Sequence, residues 1–300
     1  MIDPVFLDTP SYTLASLSKA VGADVTLKDE RLTPIGSFKG RGAEVIVQSY
    51  PKGTDFICAS AGNFGQGMAW AARRHSSQLT VYAATTAVGC KIDRMRALGA
   101  RVLLHGQDFD EAKIEAREVA SKAGVVFIED GAHAEIAEGA GTLALELTDA
   151  FDPFDAIFVP LGNGALAAGV GCWMKFRTPE TRVVAVCAEL SPAMGLAVLG
   201  RSVGTVPSSH TIADGIAVRV PVPAAVEAVR NVVDQVVFVD DESILKAMAL
   251  VEEATGRRVE PAGAVGLAAL LTQRARWSGA RVVVPLCGGN RDDSFVYSRE

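Results

Sequence analysis

Strand-like and helix-like stretches alternate along this chain, which predicts a two-lobed α/β protein dominated by parallel sheet, with helices on both faces in three-layer αβα order. Three observations carry the prediction. The alternation runs on short connections from Asp24 to Ile128 and again from Gly139 to Leu286, the pattern of parallel sheets wrapped by helices. Several strand-like runs, Arg182–Ala188 and Arg281–Leu286 among them, are apolar almost throughout, as strands covered on both faces are. Glycine-rich stretches stand where a strand hands over to a helix, at Ala59–Gly67 and Leu161–Gly169.

Asp24–Asp29 reads as a strand, Thr33-Pro34-Ile35-Gly36 as the turn that ends it, and Ser37 as the cap of a helix whose apolar face begins at Ala43, Val45 and Ile46. Strands follow at Thr54–Cys58, Leu79–Ala84, Arg101–Leu104 and Val125–Ile128. Between them lie helices at Met68–Arg74, Lys91–Leu98 and Asp110–Lys122, the last two closed by Gly99 and Gly124. The second series has a helix from about Gly139 to Ala150, strands at Ala156–Pro160, Arg182–Ala188 and Val236–Val239, and a helix capped by Asp241 that ends before Gly256. Pro261 opens a further helix, and Arg281–Leu286 is the last strand, ending in Cys287-Gly288-Gly289-Asn290. Residues 54–132 are expected to form a small lobe inserted into a large one made of 1–53 and 133–300.

A chain of 300 residues, 49% of them hydrophobic, can bury one large core or two. Its formal charge of -6, spread without a long run of one sign, argues against a nucleic-acid surface. No stretch approaches the roughly 20 apolar residues that span a bilayer, and residues 1–10 lack the basic start and apolar core of a secretory leader, so a cytoplasmic protein is expected. Five cysteines (Cys58, Cys90, Cys172, Cys187, Cys287) without a Cys-x-x-Cys pair read as reduced thiols. His75, His105, His133 and His210 stand apart, so no metal site is expected.

Lys39 sits between small residues where a turn becomes a helix, a place where the dipole disfavours a positive charge unless the nitrogen is neutral or condensed with an aldehyde. Taken alone it is also an ordinary solvated lysine. The loop Gly162–Gly169 can hold an anion, most naturally a phosphate, on its N–H groups. It can equally be an empty tight turn. A dinucleotide fold is the sharper rival, with Glu189 at the end of the next strand, but Ala167 stands where Gly-x-Gly-x-x-Gly needs its last glycine. The loop Ser60–Gly67 suits a carboxylate, and Cys287, at a strand end, can face a ligand or be a plain buried thiol. An amine, two anion cradles and a neutral group at a strand end are what pyridoxal phosphate and an amino acid require.

The segments Pro34–Ala43, Ala59–Asn63, Gly162–Leu166, Thr211–Gly215, Val259–Gly263 and Cys287–Asn290, in this order, resemble the fold-type II pyridoxal-phosphate enzymes, of tryptophan synthase β-like fold, and within them most closely the serine/threonine dehydratase group. The resemblance implies that Lys39 carries the cofactor as a Schiff base, that Phe38 packs against its ring and that Asn63 bonds its 3′-oxygen. It implies further that Gly162, Asn163, Gly164, Ala165 and Leu166 hold the phosphate, that Cys287 faces the pyridine nitrogen, and that Ser60, Ala61, Gly62 and Asn63 take the substrate carboxylate. A thiol facing that nitrogen leaves the ring a weaker electron sink, which favours elimination over transamination.

Some positions depart from the pattern. Ala61 replaces the serine of serine racemases and Gly40 the aspartate of threonine and cysteine synthases, Phe64 replaces a histidine, and Asn163 and Ala165 replace two loop glycines. The family's cation site needs an acid at position 195, which is glycine. Set against the resemblance, neither the family's usual opening helix nor a regulatory domain is expected in these 300 residues.

The expected function is an ammonia-lyase (dehydratase) that converts a small β-hydroxy amino acid such as L-threonine or L-serine to a 2-oxo acid and ammonia, with freed Lys39 taking the α-proton and the leaving hydroxyl protonated from the phosphate. A β-replacement synthase, elimination on hydroxyaspartate or diaminopropionate, a non-catalytic amino-acid binder and a nicotinamide dehydrogenase are the alternatives. A homodimer is implied by the resemblance alone.

Overall fold

The apolar runs become strands and the amphipathic ones helices, in a computed structural model that describes residues 1–87, 89–202 and 211–292; His210 lies outside them. In chain order the strands are β1 (Ser11–Thr13), β2 (Asp24–Asp29), β3 (Phe56–Ala59), β4 (Leu79–Ala83), β5 (Arg101–Leu104), β6 (Val126–Ile128), β7 (Ala156–Pro160), β8 (Arg182–Ala188), β9 (Gln235–Val239) and β10 (Arg281–Leu286). The helices are α1 (Ala15–Val21), α2 (Lys39–Gln48), α3 (Asn63–Arg74), α4 (Gly89–Ala97), α5 (Phe109–Ala123), α6 (Ala134–Ala150), α7 (Ala165–Arg177), α8 (Ala193–Val198), α9 (Pro223–Arg230), α10 (Asp241–Thr255) and α11 (Pro261–Thr272).

The strands form a six-stranded sheet of order β1-β2-β10-β7-β8-β9 and a four-stranded sheet of order β5-β4-β3-β6. Only β1, opposite β2, runs antiparallel among them. One face of the large sheet buries Val25, Leu27, Val184 and Val282 against Leu17 of α1, Ile244 of α10 and Leu267 of α11. Its other face buries Ile157, Val183 and Val283 against Leu143 of α6 and Val170 of α7. In the small sheet Phe56, Cys58 and Val81 pack on Ile46, Met68 and Met95 of α2, α3 and α4. Ile57 and Tyr82 pack on Ala112 and Ala116 of α5.

Several local expectations are corrected. Helix α3 begins at Asn63 rather than Met68, because the buried Ser60 hydroxyl accepts the N–H groups of Gly62 and Gly65 and lets the chain turn at once into a helix. Helix α6 begins at Ala134 rather than Gly139. Its glycines are contact points with α2, since a Cβ on Gly139 would lie 2.5 Å from the Arg41 carbonyl and one on Gly42 2.5 Å from the Ile136 carbonyl. Ser37 is not the formal cap of α2, which is Phe38, although its hydroxyl accepts the Lys39 N–H at 3.3 Å. Asp240, not Asp241, caps α10; the Asp241 carboxylate takes the Thr211 hydroxyl and the Ile212 N–H. β1, α1, α8 and α9 had no counterpart in the sequence reading.

The position of α2 rests on an ion network. The Arg41 guanidinium is fully buried and donates to Glu30 at 2.9 Å, to Glu146 at 2.5 Å, and to the hydroxyls of Thr9 and Thr142. Lys28, also buried, shares Glu146 at 2.5 Å. Glu30 follows β2 and Glu146 lies in α6, so one side chain ties three elements. Arg41→Ala leaves two buried carboxylates short of their cation, and urea unfolding is expected to read a loss of about 3–5 kcal/mol.

Candidate active site

In a parallel sheet all carboxyl strand ends lie along one edge, and here the edges of both sheets line a cleft of about 530 Å³. Lys39 reaches it from the turn after β2. That turn is laced to the end of β10: the Phe38 N–H donates to the Cys287 carbonyl at 3.1 Å, the Gly289 N–H to the Gly36 carbonyl at 3.0 Å, and the Asn290 amide to the Ile35 carbonyl at 2.7 Å. The Lys39 ammonium lies 5.0 Å from the centre of the Phe38 ring, 5.7 Å from that of Phe64 and 2.6 Å from Oδ2 of Asp130. The carboxylate offsets the positive charge that the start of α2 disfavours.

The loop between β7 and α7 is bent at Gly164, whose φ of 95° belongs to the left-handed region. Among the described residues the N–H groups of Gly162, Asn163, Gly164, Ala165 and Leu166 find no protein acceptor. Consecutive donors at the positive end of a helix can hold a phosphate. The loop after β6 presses on this one, since a Cβ on Gly131 would overlap the Asn163 carbonyl. Asp130 thereby stands between Lys39 and the Asn163 amide, which donates to the same Oδ2 at 3.3 Å. Its Oδ1 is buried without a hydrogen-bond partner.

A second cradle lies at the start of α3. Ser60 uses its oxygen as an acceptor, which leaves its hydroxyl hydrogen to donate, and the N–H groups of Ala61, Asn63 and Phe64 have no protein acceptor among the described residues. The Asn63 amide donates to both Glu260 oxygens, at 2.8 and 3.1 Å, and its carbonyl accepts from the Asn290 amide at 2.8 Å. Burial pushes the Glu260 carboxyl up to about 7, against the pull of the Asn63 hydrogen bonds and with a further push from the charge of Asp214. Burial first and the Glu260 charge second push the Cys287 thiol well above its ordinary range, so it is neutral at pH 7. It donates weakly to the Ala262 carbonyl.

Every residue named for the site from the sequence, from Phe38 to Cys287, lines this one cleft. Sequence reasoning missed Asp130 and left Glu260 and Asn290 without roles. Asp130 follows the last strand of the first series, at the edge where ligand groups gather, so a signal for it was present. Also missed were the ion pairs across the mouth, Lys91 with Asp214 and Arg219 with Asp108 and Asp110 at 2.7 and 2.9 Å. These depend on residues far apart in the chain and left no local signal.

Comparisons with known proteins agree with this geometry. The chain is 35% identical over 283 residues to a Thermotoga maritima protein named L-threonine ammonia-lyase, covering 93% of this chain and 70% of that one. Its structure is similar to the processed form of threonine deaminase isoform 2 from Solanum lycopersicum, with a TM-score of 0.90 and 30% identity over 97% of this chain and 82% of that one. It is also similar to maize serine racemase, with a TM-score of 0.87 and 27% identity over 95% of this chain and 89% of that one. The family described as "Pyridoxal-phosphate dependent enzyme" matches residues 2–288, and the chain belongs to it.

Proposed function

We propose that the chain is a pyridoxal-phosphate-dependent ammonia-lyase that eliminates water from a small β-hydroxy amino acid, with L-threonine and L-serine the first substrates, to give a 2-oxo acid and ammonia. The observation that carries this reading is one cleft holding a lysine, two separate sets of uncommitted N–H donors and a neutral thiol. The residues fit the cofactor: the donors of Gly162 to Leu166 suit its phosphate, Lys39 its aldehyde, Phe38 and Asn63 its ring and ring oxygen, and Cys287 its nitrogen. When bound, pyridoxal phosphate supplies an aldehyde for an amine and a ring that accepts the electron pair released at the α-carbon.

The chain's own groups supply the rest. Ser60 donates its hydroxyl hydrogen, and Ala61 and Asn63 their free N–H groups at the start of α3, to the substrate carboxylate, while Gly62 shapes the loop with its N–H on the Ser60 hydroxyl. Lys39 Nζ takes the α-proton. Phe38 and Phe64 flank that nitrogen with their rings. Ala61 offers no hydroxyl as a second acid or base, which supports elimination over racemisation. Glu260, its carboxyl pushed up to about 7 by burial, holds the Asn63 amide at the ring end of the cleft. The names of the Thermotoga and tomato relatives support the choice of threonine as a substrate.

The proposal includes a cytoplasmic homodimer and a small lobe of residues 54–132 against a large one of 1–53 and 133–300. The four-stranded sheet, whose strands all fall between residues 56 and 128, supports the division. Among the described residues no helix is long and apolar enough to cross a membrane, and all five cysteines are free.

The visible spectrum tests the reading. The protein is expected to be yellow, to lose its band on borohydride reduction, and to release 2-oxo acid from L-threonine or L-serine. Lys39→Ala is expected to lose roughly 10²–10⁴-fold or more in turnover. A colourless protein that takes up no added pyridoxal phosphate sinks the reading.

Glu260 gives a second test through pH. Its carboxyl titrates higher in the fold than in the unfolded chain, so the fold binds the proton more tightly, and this contribution to stability falls as pH rises from about 4.5 to about 7. Urea unfolding of Glu260→Gln is expected to show a shallower fall across that window than the parent protein. Parallel curves would refute the assignment.

A further inference from the structure

The side chains of Asn63 and Asn290 form a short chain of amides whose direction is fixed from both ends. At one end Arg94 of α4 donates to Oδ1 of Asn290 at 2.5 Å. A guanidinium has donors only, so Asn290 turns its oxygen toward Arg94 and its nitrogen the other way. That nitrogen donates to the Ile35 carbonyl at 2.7 Å and to Oδ1 of Asn63 at 2.8 Å. A carbonyl only accepts, which fixes the same direction a second time. Asn63 therefore keeps its nitrogen for Glu260, whose two oxygens it meets at 2.8 and 3.1 Å. The oxygens of one carboxyl group lie close together while the two hydrogens of an amide diverge, so one hydrogen serves both oxygens. The other finds no protein acceptor among the described residues. Asn63 lines the cleft, whereas Asn290 is buried and lines no part of it. Gly36, with a φ of 62°, packs so close that a Cβ there would lie 2.8 Å from the Asn290 oxygen.

We propose that Asn290 is a positioning residue that acts through Asn63: held by Arg94 and the Ile35 carbonyl, it keeps the Asn63 amide turned so that an N–H, and not a carbonyl oxygen, is offered to the ring oxygen of the cofactor. This rests on the reading above that Asn63 meets that oxygen, and it deepens that reading by naming what sets the polarity of the contact. An amide turned the other way would bring its own oxygen against the ring oxygen and against Glu260, acceptor to acceptor. Asn63 and Arg94 belong to α3 and α4, which pack on the four-stranded sheet, while Ile35, Glu260 and Asn290 follow β2, precede α11 and follow β10. The polarity is thus set where the edges of the two sheets meet, by a residue that itself touches no ligand.

Binding of pyridoxal phosphate to the cofactor-free protein, followed through its visible band, tests this without turnover. Asn290→Asp keeps the size of the side chain and replaces its donor by an acceptor. It is expected to weaken binding about 10–100-fold, the worth of one hydrogen bond to an ionised oxygen. The same substitution also removes the bond to Ile35, and a double-mutant cycle separates the two effects. A loss that passes through the Ile35 turn survives in an Asn63→Ala background; one that passes through Asn63 disappears there, so Asn290→Asp is expected to change binding by less than about threefold in that background. Arg94→Met alters an exposed residue of α4, leaves the Ile35 bond in place and decides the matter if Asn290→Asp does not fold. Its expected loss is about 3–10-fold, again absent in the Asn63→Ala background. Losses that persist undiminished in that background, or unchanged binding in both Asn290→Asp and Arg94→Met, overturn the proposal. An Asn63→Ala protein that binds the cofactor as tightly as the parent overturns the reading of Asn63 itself, and the role of Asn290 with it.

Discussion

The buried guanidinium of Arg41 is the constraint on which the site depends. It lies two residues beyond Lys39 in the first turn of α2, and its partners Glu30 and Glu146 belong to the end of β2 and to α6. Lys28 brings a second cation to the cluster, so two positive and two negative side chains meet out of water. Such a cluster adds little net stability when complete, but it is costly to break, because each member left alone is an uncompensated buried charge. It therefore acts as a specification of place. With α2 pinned at Arg41 and pressed onto α6 through Gly42 and Gly139, the Lys39 side chain has one direction in which to extend.

The mouth of the cleft is held differently. Lys91 meets Asp214, and Arg219 meets Asp108 and Asp110, through side chains several of which are 28–58% exposed. Pairs of that kind are worth roughly 0–1 kcal/mol and are screened by salt. The floor is fixed by charges that water cannot reach, and the rim by charges that it can. A substrate that must enter and leave between two sheet edges requires this division.

What the sequence disclosed follows the range of the interactions involved. Strands such as Arg182–Ala188 and Arg281–Leu286 were legible because burial on both faces writes a continuous apolar run. The ends of α3 and α6 were not, because Gly65, Gly67, Gly139 and Gly141 read as interruptions of a helix when seen locally. In the fold they are the places where one backbone passes close to another; a Cβ on Gly67 would lie 2.8 Å from the Lys39 carbonyl. β1 is three residues long and α8 six, too short to show a period. Phe38, Lys39, Asn63 and the Gly162 loop were legible as parts of a site since each stands at a strand-to-helix junction and carries its chemistry locally. Glu260 was visible in its motif, but its raised carboxyl arises from burial, with the charge of Asp214 adding to it and the Asn63 amide opposing it, an arrangement that only the fold assembles.

Asp130 shows the same limit from the other side. Nothing in Phe127-Ile128-Glu129-Asp130-Gly131 distinguishes the second acid from the first, yet Glu129 turns outward to Lys113 and Arg117 while Asp130 turns inward to Lys39. The difference is set by Gly131, whose φ of 86° lets the chain fold back against the carbonyl of Asn163. A residue with a Cβ at 131 would push the two loops apart and carry Asp130 away from both Lys39 and Asn163. The acid is thus placed by a glycine that carries no chemistry of its own, through contact with a loop that begins thirty residues further along the chain.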